Sequence, residues 1–228
     1  MPKSTHQGHK PRKRFGQNFL VDESIVDRIL AAVNPATEEH LVEIGPGLGA
    51  LTRSLAQSKA QLTLVELDRD LVTELQQQFG PLDSVRIISA DALKTDFSSF
   101  SSGEKLRIIG NLPYNISSPL LFHLVSHMSV IADMHFMLQK EVVNRITASP
   151  GSGDWGRLGI MLQFHFETEK LLDVPPGAFN PPPKVESAVV RLKPRAKPWQ
   201  TFHQKILKSW SAQLLTIAVK RYETALET

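Results

Sequence analysis

A glycine-rich turn between a predicted strand and a predicted helix places the strongest constraint on the fold. Residues 42–52, VEIGPGLGALT, read as a short apolar strand, a turn through Gly45, Gly47 and Gly49, and a helix start. Without Cβ atoms, these glycines let the backbone turn tightly and approach a ligand. Glu66 ends the next predicted strand 21 residues after Gly45, the spacing of an acid that binds a ribose diol. The pattern therefore predicts a nucleotide-type site.

Two ligands fit this turn. Gly45-x-Gly47-x-x-Ala50 satisfies the fingerprint for NAD or NADP. The same residues suit S-adenosylmethionine, which also carries a ribose and an adenine but lacks a pyrophosphate. Asp91 ends a third predicted strand, where it can accept a hydrogen bond from the ligand's adenine amino group or cap a helix.

The loop after the fourth predicted strand separates the two ligands. It reads Asn111-Leu112-Pro113-Tyr114, and hydride transfer needs nothing there beyond a turn. An exocyclic adenine nitrogen is a poor nucleophile because it shares its lone pair with the ring. The Asn111 side-chain oxygen and the Leu112 carbonyl, which the proline turn exposes, can accept hydrogen bonds from the N–H groups of this amine. These hydrogen bonds return the lone pair to the nitrogen. Since the Tyr114 ring can stack on the base, the loop favours amino-group methyl transfer.

The order of predicted elements defines the fold class. Strands alternate with helices through residue 146, which predicts a parallel sheet with helices on both faces. Residues 161–174 and 184–194 read as two further strands joined by a proline-rich loop, and antiparallel edge strands suit this position. We therefore predict an α/β, Rossmann-like fold. Its mostly parallel seven-stranded sheet carries an antiparallel edge strand, followed by a reduced helical C-terminal piece.

Composition excludes several other classes. Of the 228 residues, 41% are hydrophobic and 21% charged, an ordinary globular balance, and no apolar run approaches the roughly 18 residues of a membrane span. The absence of cysteine rules out disulfides, thiol catalysis and cysteine-ligated metals and fits a cytoplasmic protein. His123 and His127 have the i, i+4 spacing of metal ligands, but no third ligand is evident. We expect neither a metal nor a membrane partner.

The two ends of the chain differ from its centre. Residues 1–14 form a predicted basic arm, in which Lys10, Arg12, Lys13 and Arg14 suit either nucleic-acid phosphates or a solvated tail. Residues 15–194 form the predicted catalytic domain. Residues 195–228 form an abbreviated segment of one or two amphipathic helices, with Phe202, Ile206 and Trp210 at helical spacing.

Seven motifs in order resemble the ribosomal RNA adenine dimethyltransferases, most nearly the bacterial enzymes that dimethylate two adjacent adenosines near the 3′ end of small-subunit RNA. The resemblance covers about residues 6–194. The motifs are GQNFL (16–20), VEIGPGLGALT (42–52), VELD (65–68), ADAL (90–93), NLPYNISSPLLF (111–122), MLQKEVVNRI (137–146) and FNPPPKVESAVVRL (179–192).

The resemblance implies the fold of a class I S-adenosylmethionine-dependent methyltransferase, with S-adenosylmethionine as cofactor and an immature small ribosomal subunit as partner. We also expect a monomer. Asn111 and the loop after it would line the transfer site, with Phe179 facing Tyr114 so that the rings sandwich a flipped base. The basic arm becomes a predicted RNA contact. Asn18 and Leu20 would close over the methionine part of the cofactor, Gly45 would lie under it, Glu66 would hold the ribose and Asp91 would meet the adenine. The full set of implied cofactor contacts is Gln17, Asn18, Leu20, Gly45, Gly47, Glu66, Leu67, Asp91, Ala92 and Asn111.

The C-terminus departs from the family pattern, in which a small helical domain with an Arg-Arg-Lys cluster continues for several dozen residues. Here 199–228 carries only Lys205, Lys208, Lys220 and Arg221 as basic residues. We therefore expect cofactor binding but weakened RNA methylation. Three alternatives stay open: an NAD(P)-dependent oxidoreductase, a non-catalytic RNA-binding factor, and a DNA adenine methyltransferase, whose Asn-Pro-Pro-Tyr loop is similar. The motif order and FNPPPKVES favour RNA over DNA.

Overall fold

The computed structural model describes residues 17–196. The predicted basic arm and nearly all of the predicted C-terminal segment lie outside this part. Within residues 17–196, three short 3-10 helices accompany the regular elements. The regular elements are β1 (Phe19–Leu20), α1 (Glu23–Val33), β2 (His40–Ile44), α2 (Thr52–Gln57), β3 (Gln61–Glu66), α3 (Arg69–Phe79), β4 (Val85–Ser89), β5 (Leu106–Asn111), α4 (Ser117–Val125), β6 (Ile131–Gln139), α5 (Lys140–Thr147), α6 (Arg157–His165), β7 (Phe166–Val174), β8 (Phe179–Asn180) and β9 (Ser187–Pro194).

Seven strands form one sheet in the order β4-β3-β2-β5-β6-β9-β7, and β1 pairs separately with β8. Strands β2 to β6 run parallel, whereas β9 is antiparallel to both β6 and β7. This confirms the predicted α/β fold and strand number. The antiparallel strand lies one place inside the edge, because β7 pairs with its outer side and runs in the same direction as β6.

One boundary prediction is wrong. Residues 161–165 were expected to begin a strand but form the end of α6. A short apolar run of this kind fits a buried helix as well as a strand. Helix α6 is anchored to the end of α5 through its own Gln163 side chain. The Nε2 atom of Gln163 donates to the carbonyls of Ile146 and Ala148 (2.8 and 2.9 Å).

Alternating residues of the central strands fill two apolar cores, one on each face of the sheet. Val42, Ile108 and Phe136 belong to the core beneath α4, α5 and α6. Leu41 and Ile109, their strand neighbours, belong to the core on the opposite face beneath α1 and α3. All five are at most 1% exposed, as expected for strands of a sheet covered on both faces.

The strand order places a binding crevice at the carboxyl ends of β2 and β5. From β2 the chain continues outward to β3 and β4 on one side, while β5 and β6 lie on the other. Such a switch point leaves a gap between the connections, and open α/β sheets bind their ligands there. The glycine turn follows β2 and Asn111 ends β5. No helix within residues 17–196 is long and apolar enough to cross a membrane.

Candidate active site

A cavity of about 350 Å³ opens at this switch point, within the size range of small-molecule sites. Residues from five separate parts of the chain line it. Of the site residues predicted from sequence within the described part, those on the wall are Gln17, Asn18, Leu20, Gly45, Gly47, Glu66, Leu67, Asp91, Ala92, Asn111, Leu112, Pro113 and Tyr114.

The glycine turn forms the floor of the cavity. Gly45 and Gly47 adopt positive φ values of 67° and 60°, a left-handed conformation that costs other residues energy. A Cβ atom on Gly47 would also lie 3.1 Å from a ring carbon of Phe19. Glycine is therefore needed here both for the turn and for the close approach of the segment 17–20.

Glu66 lies directly under this turn. It is 7% exposed, and its carboxylate accepts hydrogen bonds from the backbone N–H of Asp68 (2.9 Å) and of Gly47 (3.3 Å). Burial raises its pKa, against the lowering effect of these hydrogen bonds. A carboxylate has about four acceptor positions, so Glu66 retains capacity for a ligand hydroxyl while the backbone holds it in place.

Glu43 is a second buried acid on the cavity wall, and the sequence analysis missed it. It is 2% exposed and accepts a hydrogen bond from Thr52 Oγ1 at 2.7 Å. Burial raises its pKa to about 7, and the nearby charge of Glu66 adds to this. The sequence signal was a charged residue inside the otherwise buried strand β2.

Asp91 serves its own loop as well as the cavity. Its Oδ1 accepts a hydrogen bond from the Leu93 backbone N–H (3.0 Å), and its carbonyl accepts one from Thr95 Oγ1 (2.9 Å). The residues that follow it form a turn, so Asp91 does not cap a helix. Its side chain is half-buried on the cavity wall.

The lining of the cavity is acidic and carries no compensating positive charge. Glu43, Glu66 and Asp91 lie on the wall, and none of the described residues that line it is lysine, arginine or histidine. In a partly desolvated site, unpaired carboxylates attract a cationic ligand and repel an anionic one. The described wall therefore favours a ligand that carries positive charge.

The segment 17–20 is fastened across the cavity. Gln17 Nε2 donates to Asp68 Oδ2 at 3.3 Å, and the Asn18 carbonyl accepts a hydrogen bond from Asn111 Nδ2 at 3.0 Å. Since a carbonyl can only accept, the Asn111 amide nitrogen must face Asn18. The amide oxygen of Asn111 therefore points the other way and is available as an acceptor.

The loop that follows Asn111 is held at its backbone. The Leu112 N–H donates to the Met137 carbonyl at 3.2 Å. The Pro113 carbonyl accepts hydrogen bonds from the Ile116 N–H and from Ser117 Oγ, both at 3.1 Å, at the start of α4. The turn is thus anchored to β6 on one side and to α4 on the other.

The two aromatic residues predicted to sandwich a base occupy different places. Tyr114 is half-buried on the cavity wall, with its Oη 2.8 Å from Ser187 Oγ. Burial raises the pKa of its phenol. Phe179 is 4% exposed, pairs with Leu20 through β8 and β1, and packs in the core beneath α1 without reaching the wall. The stacking role of Phe179 stays a prediction.

Two further predictions concern residues beyond this cavity. Lys10, Arg12, Lys13 and Arg14, the predicted RNA contacts, lie outside the described residues. His123 and His127 do lie close together, with ring centroids 4.8 Å apart. In the described part of the chain they belong to no cluster of three potential metal ligands.

The chain has the Rossmann-like fold of S-adenosylmethionine-dependent methyltransferases. The sequence model described as "Ribosomal RNA adenine dimethylase" matches residues 8–228, so the chain belongs to that family. The match includes the C-terminal residues that the motif resemblance did not reach.

Curated relatives and solved structures agree with this assignment. The chain is 60% identical over 187 residues to a Pseudomonas putida protein named "Ribosomal RNA small subunit methyltransferase A", covering 82% of this chain and 70% of the relative. A Cupriavidus pinatubonensis protein of the same name is 58% identical over 195 residues, covering 85% and 69%. A dimethyladenosine transferase from Plasmodium falciparum superposes with a TM-score of 0.70 at 29% identity, covering 83% of this chain and 65% of that one. The 23S rRNA methyltransferase ErmE gives 0.71 at 29%, covering 82% and 75%.

Proposed function

We propose that the protein binds S-adenosylmethionine and transfers methyl groups to the exocyclic amines of two adjacent adenosines near the 3′ end of small-subunit ribosomal RNA. One observation carries the proposal: a cavity whose described lining holds three acids and no basic side chain opens beside Asn111, whose amide oxygen is free of the Asn18 contact and can act as an acceptor. Family membership supplies the substrate class. The loop Asn111–Tyr114 on the cavity wall argues against the NAD(P) alternative, because hydride transfer needs nothing there beyond a turn.

The residues on the wall fit the parts of this cofactor. Glu66 would accept hydrogen bonds from the ribose hydroxyls, and Asp91 would accept one from the adenine amino group. Burial raises the pKa of Glu43 and of Glu66, and a ligand with positive charge at its sulfur and its α-amino group would stabilise their charged forms. When bound, the cofactor supplies an electrophilic methyl group.

Asn111 acts on the incoming adenine. Its amide oxygen accepts a hydrogen bond from an N–H group of the exocyclic amine. This hydrogen bond draws the nitrogen lone pair out of the purine ring. The Leu112 carbonyl is the second proposed acceptor, and the Tyr114 ring stacks on the base. In-line attack then depends on placement. A nitrogen that bears a new methyl group and a positive charge loses its proton readily, so no strong general base is required.

The target base must leave its helix to reach the cavity. We assign this contact to an RNA rather than a DNA substrate because the family is one of RNA enzymes. The basic arm with Lys10, Arg12, Lys13 and Arg14 would neutralise RNA phosphates. Such a substrate places the protein in the cytoplasm, and we propose that it acts as a monomer.

Calorimetry and primer extension test the proposal. We expect binding of S-adenosylmethionine and no binding of NADP. With labelled cofactor, we expect methyl transfer to small subunits isolated from cells that lack this modification. Because a doubly methylated adenine blocks base pairing, reverse transcription should halt at two neighbouring adenosines. Cofactor binding without transfer to RNA, or equal transfer to duplex DNA, would contradict the assignment.

A further inference from the structure

Ser187 is a buried hydroxyl that touches the site from behind. It is 0% exposed, lies at the start of β9 and is not on the cavity wall. Its Oγ lies 2.8 Å from Tyr114 Oη, although 73 residues separate the two in sequence. Ser187 pairs with Gln139 of β6 and Val174 of β7. It is therefore held from both sides by the sheet.

Tyr114, in contrast, lies in a loop without regular structure. The backbone anchors described above hold Leu112 and Pro113, but neither fixes the direction of the Tyr114 ring. Within residues 17–196, Ser187 provides the hydrogen bond recorded for the phenol oxygen. A tyrosine side chain turns about two bonds, and its phenol oxygen lies on the axis of the second. A hydrogen bond from that oxygen to a rigid strand therefore fixes the direction in which the ring extends.

We propose that Ser187 is a positioning residue that sets the Tyr114 ring for the target adenine. It also connects the Asn111–Tyr114 loop to the segment 179–187, because β9 begins directly after the proline-rich loop that follows Phe179. A base that enters the site then meets a preset stacking surface and does not have to order a mobile ring. The inference rests on the proposed function, since it requires that Tyr114 contacts the base.

A double-mutant cycle tests the bond. Ser187→Ala and Tyr114→Phe each remove one hydroxyl and keep the strand and the ring. Transfer to unmodified small subunits is measured at varied RNA concentration, with calorimetry for S-adenosylmethionine and thermal melting for the fold. We expect each single variant to raise the KM for RNA about fivefold, the effect of one ordinary hydrogen bond, with cofactor affinity unchanged. Because both variants break the same bond, the double variant should be no worse than either.

Thr63→Val is the matched control. Thr63 is 2% exposed, and its Oγ1 forms a hydrogen bond of the same 2.8 Å length with His40 Nε2, far from the loop. It should lower stability without changing the KM for RNA. A merely structural role for Ser187 would reproduce this control result.

Three results would overturn the inference: additive losses in the double variant, a parallel loss of cofactor affinity, or wild-type transfer by a folded Ser187→Ala protein. If Ser187→Ala fails to fold, Tyr114→Phe alone tests the inference. Unchanged methyl transfer by Tyr114→Phe would then show that the hydrogen bond between Tyr114 and Ser187 does not position the ring. If the unaltered protein binds the cofactor but methylates no RNA, the proposed function itself fails. If the unaltered protein is active and only the cycle fails, this inference alone is lost.

Discussion

Buried carboxylates lie at both ends of the parallel strands, but only those at one end have cationic partners. At the amino ends, Asp133 of β6 is 5% exposed and contacts two arginines. At the carboxyl ends, Glu43 and Glu66 are similarly buried and accept only hydrogen bonds from neutral groups. The same residue chemistry therefore serves two purposes within one sheet.

The amino-end network is built around Arg107 of β5. Its guanidinium donates to both oxygens of Asp133 (2.9 and 3.1 Å), to Glu39 (2.7 Å) and to the Val33 carbonyl at the end of α1 (2.7 Å). Arg191 adds a contact to Asp133 at 3.3 Å. Burial alone would raise the pKa of Asp133, but these arginines outweigh burial and lower it.

The difference indicates which acids face a ligand. A buried charge costs free energy unless it is paired, and the fold pairs Asp133 from within. Glu43 and Glu66 are left with raised pKa values instead. A protein retains such a cost where a bound partner is to meet the charge. We therefore expect substitutions at the two ends to affect different properties.

Asp133→Asn gives the largest expected loss of stability. It takes the charged partner away from the buried Arg107 guanidinium, which keeps Glu39 as its other carboxylate, and removing one member of a buried ion pair typically costs about 3–5 kcal/mol. Urea unfolding measures the effect. The affinity for S-adenosylmethionine, measured by calorimetry on the folded fraction, should not change. A comparable loss of cofactor affinity would break the proposed division between the two ends.

Asn111→Ala should have the largest effect on catalysis. Removing a polar group that stabilises a transition state typically lowers the rate about 10²–10³-fold, and we expect single-turnover methyl transfer to fall by about that factor. Asn144→Ala is the matched control, because Asn144 is a half-buried asparagine of α5 that does not line the cavity. It should stay within about twofold of the unaltered protein. Full transfer by folded Asn111→Ala would show that Asn111 does not accept from the amine.

Glu66→Gln should reverse the pattern of Asp133→Asn. A hydrogen bond to a charged group is worth about 1.5–3 kcal/mol, so cofactor affinity should fall about 10–100-fold. The unfolding free energy should change by less than about 1 kcal/mol, because the loss of one acceptor is offset by removal of a buried charge. Calorimetry and urea unfolding measure the two effects. Lost stability with unchanged affinity would place Glu66 among the structural acids.

The parts of the site that were predictable from sequence are encoded locally. The turn directly after β2 needs a glycine such as Gly45, and Glu66 and Asn111 each lie where their own strand ends. A few neighbouring residues of sequence were therefore sufficient to predict these positions. The partners of Tyr114 and Asp133 were not predictable, because they lie 73 and 26 residues away and meet only when the sheet forms.

Two other features needed the tertiary structure for related reasons. Glu43 looked like one charged position in an apolar strand, and only the tertiary structure shows that it is buried and lies on the cavity wall. Phe179 carries an aromatic ring in a proline-rich loop, and nothing local tells a base-stacking ring from a core ring. Its pairing with Leu20 buries it, which leaves its predicted role for experiment.

The pH dependence of stability gives the smallest effect, and it distinguishes the two ends by sign. The pKa of Glu43 is about 7 in the folded protein against an ordinary value of 4.5, so between these values the folded state binds the extra proton. Its contribution to stability is therefore full below about pH 4.5 and is lost as pH rises to about 7. Asp133 has a lowered pKa, so the stability that its charged form contributes is lost as pH falls below the ordinary pKa of an aspartate.

Glu43→Gln should remove the loss of stability between about pH 4.5 and 7 and make the protein about 1–3 kcal/mol more stable than the unaltered chain at pH 8. Urea unfolding at several pH values measures it, and an unchanged slope in Glu43→Gln would mean that another group titrates there.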